Sequence, residues 1–127
     1  MGKKVLIVDD EKDTVEAVGN FLTKQGFIVF SAFDGEEAKA KAVEIKPDII
    51  LLDLILPKAN GFEVLKWIRQ NIEKRIPVII LSVKDRLDDI KKGYTFDADF
   101  YLPKPFTNQD LLRGINTVLS LAPFREE

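Results

Sequence analysis

Four charged side chains stand at the ends of apolar runs and could do chemistry together. KVLIVDD places Asp9 and Asp10 after one run, IILLD places Asp53 at the end of a second, and YLPKP carries Lys104 after a third. If those runs are neighbouring parallel strands, three carboxylates and one ammonium meet at one edge of a sheet. Carboxylates gathered so closely repel one another and resist ionisation unless a cation neutralises them. With neither histidine nor cysteine in the 127 residues, any metal must be held by oxygen. A hard divalent ion fits that donor set, and magnesium suits it best: small, octahedral, and content with few carboxylates beside water and phosphate oxygens. A single Asp after a strand is ordinarily a turn or capping residue. An adjacent pair combined with Asp53, Ser82 and Lys104 at other run ends favours a functional cluster.

The surrounding elements must deliver these groups to one place. Val5 to Val8 is a short continuous apolar run, as in a strand covered on both faces. From Lys12, Val15, Val18 and Leu22 recur at helical spacing with Phe21 widening the stripe, and Gly26 ends the helix. Phe27 to Ala32 reads as a second strand. Asp34 then caps a helix with Glu37 three residues on, and Ala38, Ala42 and Ile45 form its apolar face. Pro47 and Asp48 close it before the run Ile49 to Leu52. Pro57 to Gly61 is a turn cluster, followed by a helix with Phe62, Leu65 and Ile68 on one side. Pro77 precedes a fourth strand, Val78 to Leu81. Asp85 to Lys92 is a weak polar helix ended by Gly93, and Phe100 to Leu102 is the fifth strand. Thr107 caps a last helix bearing Leu111, Leu112, Ile115, Val118 and Leu119.

Five strand segments alternating with five helical segments predict an α/β fold, with one parallel sheet covered on both faces and right-handed crossovers. Ligands of such doubly wound sheets bind beyond the carboxyl ends of the strands, where strand order reverses. Asp9, Asp10, Asp53, Ser82 and Lys104 all fall on that edge.

Composition narrows the rest. A hydrophobic fraction of 46% and a charged fraction of 31% are those of one ordinary globular domain. The domain is read as residues 1–122, with 123–127 as a tail or the start of a linker. A net charge of −2 gives no support for direct nucleic-acid binding. No apolar run approaches the roughly 18 residues of a membrane span. Asp9, Asp10, Glu11 and Asp13 interrupt any secretory signal, so the expected location is the cytoplasm.

VDD at 8–10, the pattern D-x-x-x-P-x-x-x-G from Asp53 through Pro57 to Gly61, Ser82 after the fourth strand and KPF at 104–106 together resemble the receiver domain of two-component response regulators. The resemblance covers essentially the whole chain. It implies a flavodoxin-like (βα)5 three-layer sandwich with strand order 2-1-3-4-5. It implies that Asp53 accepts a phosphoryl group from a phosphohistidine of a sensor histidine kinase or phosphotransfer protein. Asp10, Asp53 and the backbone carbonyl of Ile55 would ligate magnesium, for which manganese could substitute, with Asp9 acting through a bound water. Lys104 would pair with a phosphoryl oxygen, and the Lys104–Pro105 bond would be cis. Ser82 and Tyr101 would form the switch. The serine hydroxyl is drawn to the phosphoryl group and the tyrosine ring turns inward, reshaping the surface of the fourth helix, fifth strand and fifth helix. Ile55 and Lys84 would tune the lifetime of the acyl phosphate. Ile55 has no group to orient a water and Lys84 could cover the phosphoryl group, so slow autodephosphorylation is expected.

Such a domain alters its own phosphorylation state and is not a conventional turnover enzyme. Its output would go to another protein or to a further C-terminal domain, and it would be a monomer or a phosphorylation-dependent homodimer. Some positions depart from the pattern. Val83 stands where alanine is usual, Leu56 where methionine is, Asp97 where glycine is, and Phe100 where a second aspartate often follows Asp99. The last removes a charge used in pairing by some DNA-binding regulators. Trp67, Phe30, Phe33 and Phe106 are read as packing residues.

Three other readings fit less well. A nucleotide-binding flavodoxin-like protein would need a glycine-rich phosphate turn where Asp9, Asp10 and Glu11 stand. A small magnesium-dependent phosphatase with an aspartyl nucleophile would carry it on the first strand and need a cap too large for this chain. An unphosphorylated interaction scaffold has no need of Asp10, Asp53 and Lys104 together.

Overall fold

The computed structural model describes residues 2–57, 60–83 and 98–125, without the side chains of residues 83 and 122–125. Among the described residues nine elements follow in order: β1 (Lys4–Val8), α1 (Lys12–Lys24), β2 (Ile28–Ala32), α2 (Gly35–Ile45), β3 (Ile49–Asp53), α3 (Gly61–Asn71), β4 (Val78–Val83), β5 (Phe100–Lys104) and a C-terminal helix α4 (Asn108–Arg125). The strands form one parallel sheet in the order β2-β1-β3-β4-β5, the expected flavodoxin-like arrangement. The polar helix expected over Asp85 to Lys92 lies outside the described residues, as do Lys84 and Asp97.

Strand alternation divides the core in two. Leu6, Val8, Ile50, Leu52, Val78 and Ile80 face α2 and α3, where Ala38, Ala42, Val64, Leu65 and Ile68 are buried. Val5, Ile7, Ile49, Leu51, Ile79 and Leu81 face α1 and the C-terminal helix, against Val18, Leu22, Leu111 and Ile115. Both faces are covered, which is why the strands are apolar throughout rather than alternating. Trp67, Phe30, Phe33 and Phe106 are partly buried packing residues, and Leu56 packs beside the first cluster. The Lys39 ammonium lies 5.9 Å from the Trp67 ring centre.

Helix starts follow their caps. The Asp34 carboxylate accepts from the Glu37 N–H at 2.8 Å, while Glu37 accepts from the Phe33 N–H at 2.7 Å, one residue earlier than in a standard capping box. Thr107 and Asp110 form the full reciprocal pair at 3.0 and 3.3 Å. Asn60, read only as part of a turn, caps α3 by accepting from Glu63 N–H at 2.9 Å. Gly26 ends α1 with φ of 97°.

The strands outrun their apolar cores. β3 includes Asp53, and β5 continues through Pro103 to Lys104, because ladder bonding depends on backbone and not on side-chain polarity. Pro103 is tolerated because β5 is an edge strand. The Lys104–Pro105 peptide is cis.

Gly19, inside α1, has room for a methyl group. An added Cβ would meet only Val29 Cγ1, at an ordinary 3.5 Å. Gly19→Ala is expected to raise stability by about 0.5–1 kcal/mol, since alanine loses less backbone entropy in a helix. Urea melts of the two proteins check this, and an unchanged or lower midpoint would refute it.

Candidate functional site

Register brings the charged groups together. Val8 pairs with Leu52, so Asp9 and Asp53 follow side by side, and Asp53 itself pairs with Leu81, next to Ser82. Lys104, at the end of β5, pairs with Val83 at the end of β4. Asp9 and Asp53 are buried and Asp10 is exposed; their carboxylate oxygens lie within 4.8 Å of one another. Lys104 Nζ donates to Asp9 Oδ2 and to Asp53 Oδ2, each at 3.1 Å. The other Asp9 oxygen accepts from the Glu11 N–H at 2.9 Å, and the other Asp53 oxygen from the Ile55 N–H at 3.2 Å.

Among the described residues, three carboxylates against one ammonium leave the pocket with about two uncompensated negative charges. The Asp53 carboxyl is pushed above its ordinary value of 3.8 chiefly by burial, with Asp9 adding to the effect. The Ile55 N–H and the Lys104 ammonium oppose that shift without overcoming it. Burial also works to lower the Lys104 pKa, but attraction to Asp53 and Asp9 wins and holds it above its ordinary 10.5. The donor atoms are all hard oxygens and the missing charge is that of a divalent ion, so the residues present fit a hard dication.

The remaining expected site residues are placed as follows. Ser82 is buried at the end of β4, opposite Pro103. Ile55 is exposed, at 56%. Tyr101 was expected to rest outward and turn in on phosphorylation; here its ring is already buried, on the same sheet face as its partner Ile80. Strand alternation places it there, where the ring covers apolar surface of the α3 side. Lys84 lies outside the described residues, and the Val83 side chain is not described.

A second charged cluster escaped the sequence reading. Asp99, just before β5, accepts from Arg75 at 2.8 Å, from Arg69 at 3.1 Å and from the Val78 N–H at 2.9 Å. Arg69 also donates to the Ile76 carbonyl at 2.6 Å. The cluster ties α3 to the starts of β4 and β5, the sheet edge opposite the carboxylates. Its residues lie up to 30 positions apart, with no shared local pattern to reveal them.

Among the described residues, no helix is long and apolar enough to cross a membrane.

The family profile of the response regulator receiver domain matches residues 5–116. The alkaline phosphatase synthesis transcriptional regulatory protein PhoP of Bacillus subtilis (strain 168) is 40% identical over 119 residues, which is 94% of this chain and 49% of that protein. This chain thus spans about half the length of that curated relative. The chemotaxis response regulator CheY4 of Vibrio cholerae superposes with a TM-score of 0.87 at 33% identity, covering 93% of this chain and 99% of the other. A CheY-like response regulator receiver domain protein from Methanospirillum hungatei JF-1 gives 0.90 at 25% identity, over 98% and 99%. Receiver domains gain and lose a phosphoryl group on themselves rather than turning over a separate substrate. With the strand order, the acidic pocket and the profile match in agreement, the chain belongs to the response regulator receiver domain family.

Proposed function

We propose that Asp53 accepts a phosphoryl group from the phosphohistidine of a sensor kinase or phosphotransfer protein, in a magnesium-dependent step. The observation that carries this is the single ammonium of Lys104 shared at 3.1 Å by Asp9 and Asp53 inside a three-carboxylate pocket. An Asp53 oxygen attacks phosphorus, an O–P bond forms, and the N–P bond breaks with its electron pair leaving on the imidazole. Lys104 stays protonated and compensates charge on the phosphoryl oxygens as the group transfers. Asp10, Asp53 and the Ile55 carbonyl would hold magnesium, with manganese as a substitute and Asp9 acting through water. When bound, the ion supplies further neutralisation of the phosphoryl oxygens. A groove beside the site, lined by Glu11, Thr14, Val18, Lys104, Pro105 and Phe106, offers a donor protein room to approach.

Once formed, the acyl phosphate draws the Ser82 hydroxyl inward. Because Tyr101 is already buried, the switch here is a locking of that ring by the moved β4 end rather than an inward swing. The surface that carries the signal includes β5 and the C-terminal helix. Its reader is a separate protein or a further domain, as the length of the transcriptional relative illustrates. The receiver unit is taken as residues 1–122, working in the cytoplasm as a monomer or a phosphorylation-dependent dimer.

The test is intact mass after incubation with acetyl phosphate and magnesium. One added phosphoryl mass, labile to alkali and mapped to the peptide containing Asp53, is expected. No added mass, or a label elsewhere, overturns the reading. Hydrolysis is slow on this view, because Ile55 is apolar and cannot orient the attacking water. Decay of the phosphorylated mass within a few seconds of removing the donor would refute that part.

A further inference from the structure

We propose that Gly61 is a positioning residue for the phosphoryl-accepting site: its missing Cβ lets the start of α3 seat directly on the peptide between Asp53 and Leu54. The inference rests on the reading of Asp53 as the acceptor and adds a residue to its machinery.

Gly61 is buried as the first residue of α3, and its φ lies outside the left-handed region. Backbone conformation therefore does not demand glycine; space does. A Cβ at this position would lie 2.6 Å from the Asp53 carbonyl oxygen and 2.6 Å from Leu54 Cα, with Leu54 Cδ2 at 3.1 Å. The two closest atoms are backbone, so no side-chain rotation relieves the clash. Real Cβ contacts essentially never fall below 3.0 Å and become ordinary at 3.4 Å, so the two segments must separate by 0.4 to 0.8 Å. At Gly19 and Gly114, inside their helices, an added Cβ would meet only side chains: Val29 at Gly19, and Phe100 and Ile79 at Gly114.

The segment pressed by Gly61 is the one that presents the site. The Gly61 N–H donates to the Leu54 carbonyl at 2.8 Å, and the Leu54 N–H donates to the Leu81 carbonyl at 3.3 Å. The Ile55 N–H donates to the Asp53 carboxylate at 3.2 Å. Residues 53–55 are thus held by α3 on one side, by β4 on another and by their own carboxylate. That span includes both the attacking group and the Ile55 carbonyl proposed for the cation. Meanwhile α3 cannot easily retreat, because Asn60 caps it and Val64, Leu65 and Ile68 bury its inner face. Displacement falls instead on residues 53–55, where a tolerance of about 0.5 Å separates a working site from a loose one.

The experiment compares the native chain, Gly61→Ala and Gly19→Ala as the methyl-addition control. Magnesium binding is read by calorimetry, phosphoryl uptake from acetyl phosphate by intact mass, and folding by circular dichroism and thermal unfolding. Folded Gly61→Ala is expected to bind magnesium about 10-fold more weakly and to take up phosphoryl about 10²-fold more slowly. Gly19→Ala should match the native chain in both. A merely structural glycine would lower the unfolding temperature and leave magnesium affinity of the folded protein unmoved, which would overturn the proposal. If Gly61→Ala does not fold, amide exchange of the native chain decides. Magnesium should slow exchange at Gly61, and exchange unchanged by magnesium refutes the coupling. Native protein that neither binds magnesium nor gains phosphoryl mass overturns the reading of the site itself, and the role of Gly61 with it.

Discussion

Asp53→Asn is expected to abolish phosphoryl uptake from acetyl phosphate and, at the same time, to make the metal-free protein more stable at neutral pH. The first effect follows because a neutral amide oxygen lacks the negative charge of a carboxylate and is a far weaker nucleophile toward phosphorus. The second follows from linkage. Burial raises the folded-state pKa of Asp53 above 3.8, so the folded chain binds that proton more tightly than the unfolded chain does. The stability Asp53 contributes is therefore greatest below 3.8 and is lost as pH rises through its folded value. At pH 7 the native fold bears the cost of an ionised buried carboxylate and asparagine does not. The amide oxygen can still accept from Ile55 N–H, and Lys104 keeps Asp9 at 3.1 Å. The gain should be roughly 1 kcal/mol, or about 4 °C in Tm, shrinking as pH falls toward 3.8. Magnesium should reverse the order: at 100 times its Kd it stabilises the native chain by about 2.7 kcal/mol and the variant by less. Urea melts from pH 3 to 8, with and without magnesium, check this. A variant less stable than native at pH 7 without metal would sink the burial argument, and equal phosphoryl mass in both proteins would refute the assignment of Asp53.

Lys104→Met is expected to slow phosphoryl uptake by about 10²–10³-fold, the usual cost of removing one preorganised charge from a transferring group. Magnesium binding should not weaken with it. The ammonium and a cation compete for the same oxygens of Asp9 and Asp53, so its removal should tighten magnesium binding. Stability should move opposite to that of Asp53→Asn. The folded-state pKa of Lys104 lies above 10.5, so its contribution is fully present below 10.5 and disappears only as pH rises through the folded value. Across the neutral range Lys104→Met loses all of it, leaving two buried carboxylates without their ammonium. Time-resolved intact mass, calorimetry and urea melts of the variant read all three effects. A native uptake rate, or weaker magnesium binding, would show that Lys104 acts elsewhere than at the phosphoryl oxygens.

The two variants share one contact and are expected to shift stability in opposite directions. That contrast is characteristic of a site held in an electrostatically unfavourable state for the sake of its chemistry. The Asp99 cluster on the other sheet edge is the counter-example. There one carboxylate meets two guanidinium groups and a backbone N–H, so its charge is fully compensated by contacts that join α3 to the starts of β4 and β5.

Local chain chemistry was enough to read much of this molecule. Continuous apolar runs announced strands covered on both faces, 3.6-residue stripes announced the helices that cover them, and Asp34 and Thr107 marked helix starts, because each signal is carried by neighbours in the chain. The acidic pocket was legible for a related reason: parallel strands all point their carboxyl ends one way, so residues at the ends of separate runs must share an edge. Contacts between distant segments were decided only by packing. Whether Lys104 bridges Asp9 and Asp53, whether Tyr101 rests inward, and how closely Gly61 seats against Asp53 depend on sub-ångström separations between elements. Asp99 with Arg69 and Arg75 depends on three elements arriving together. No spacing encodes such distances, since they are set by how the whole core fills its volume.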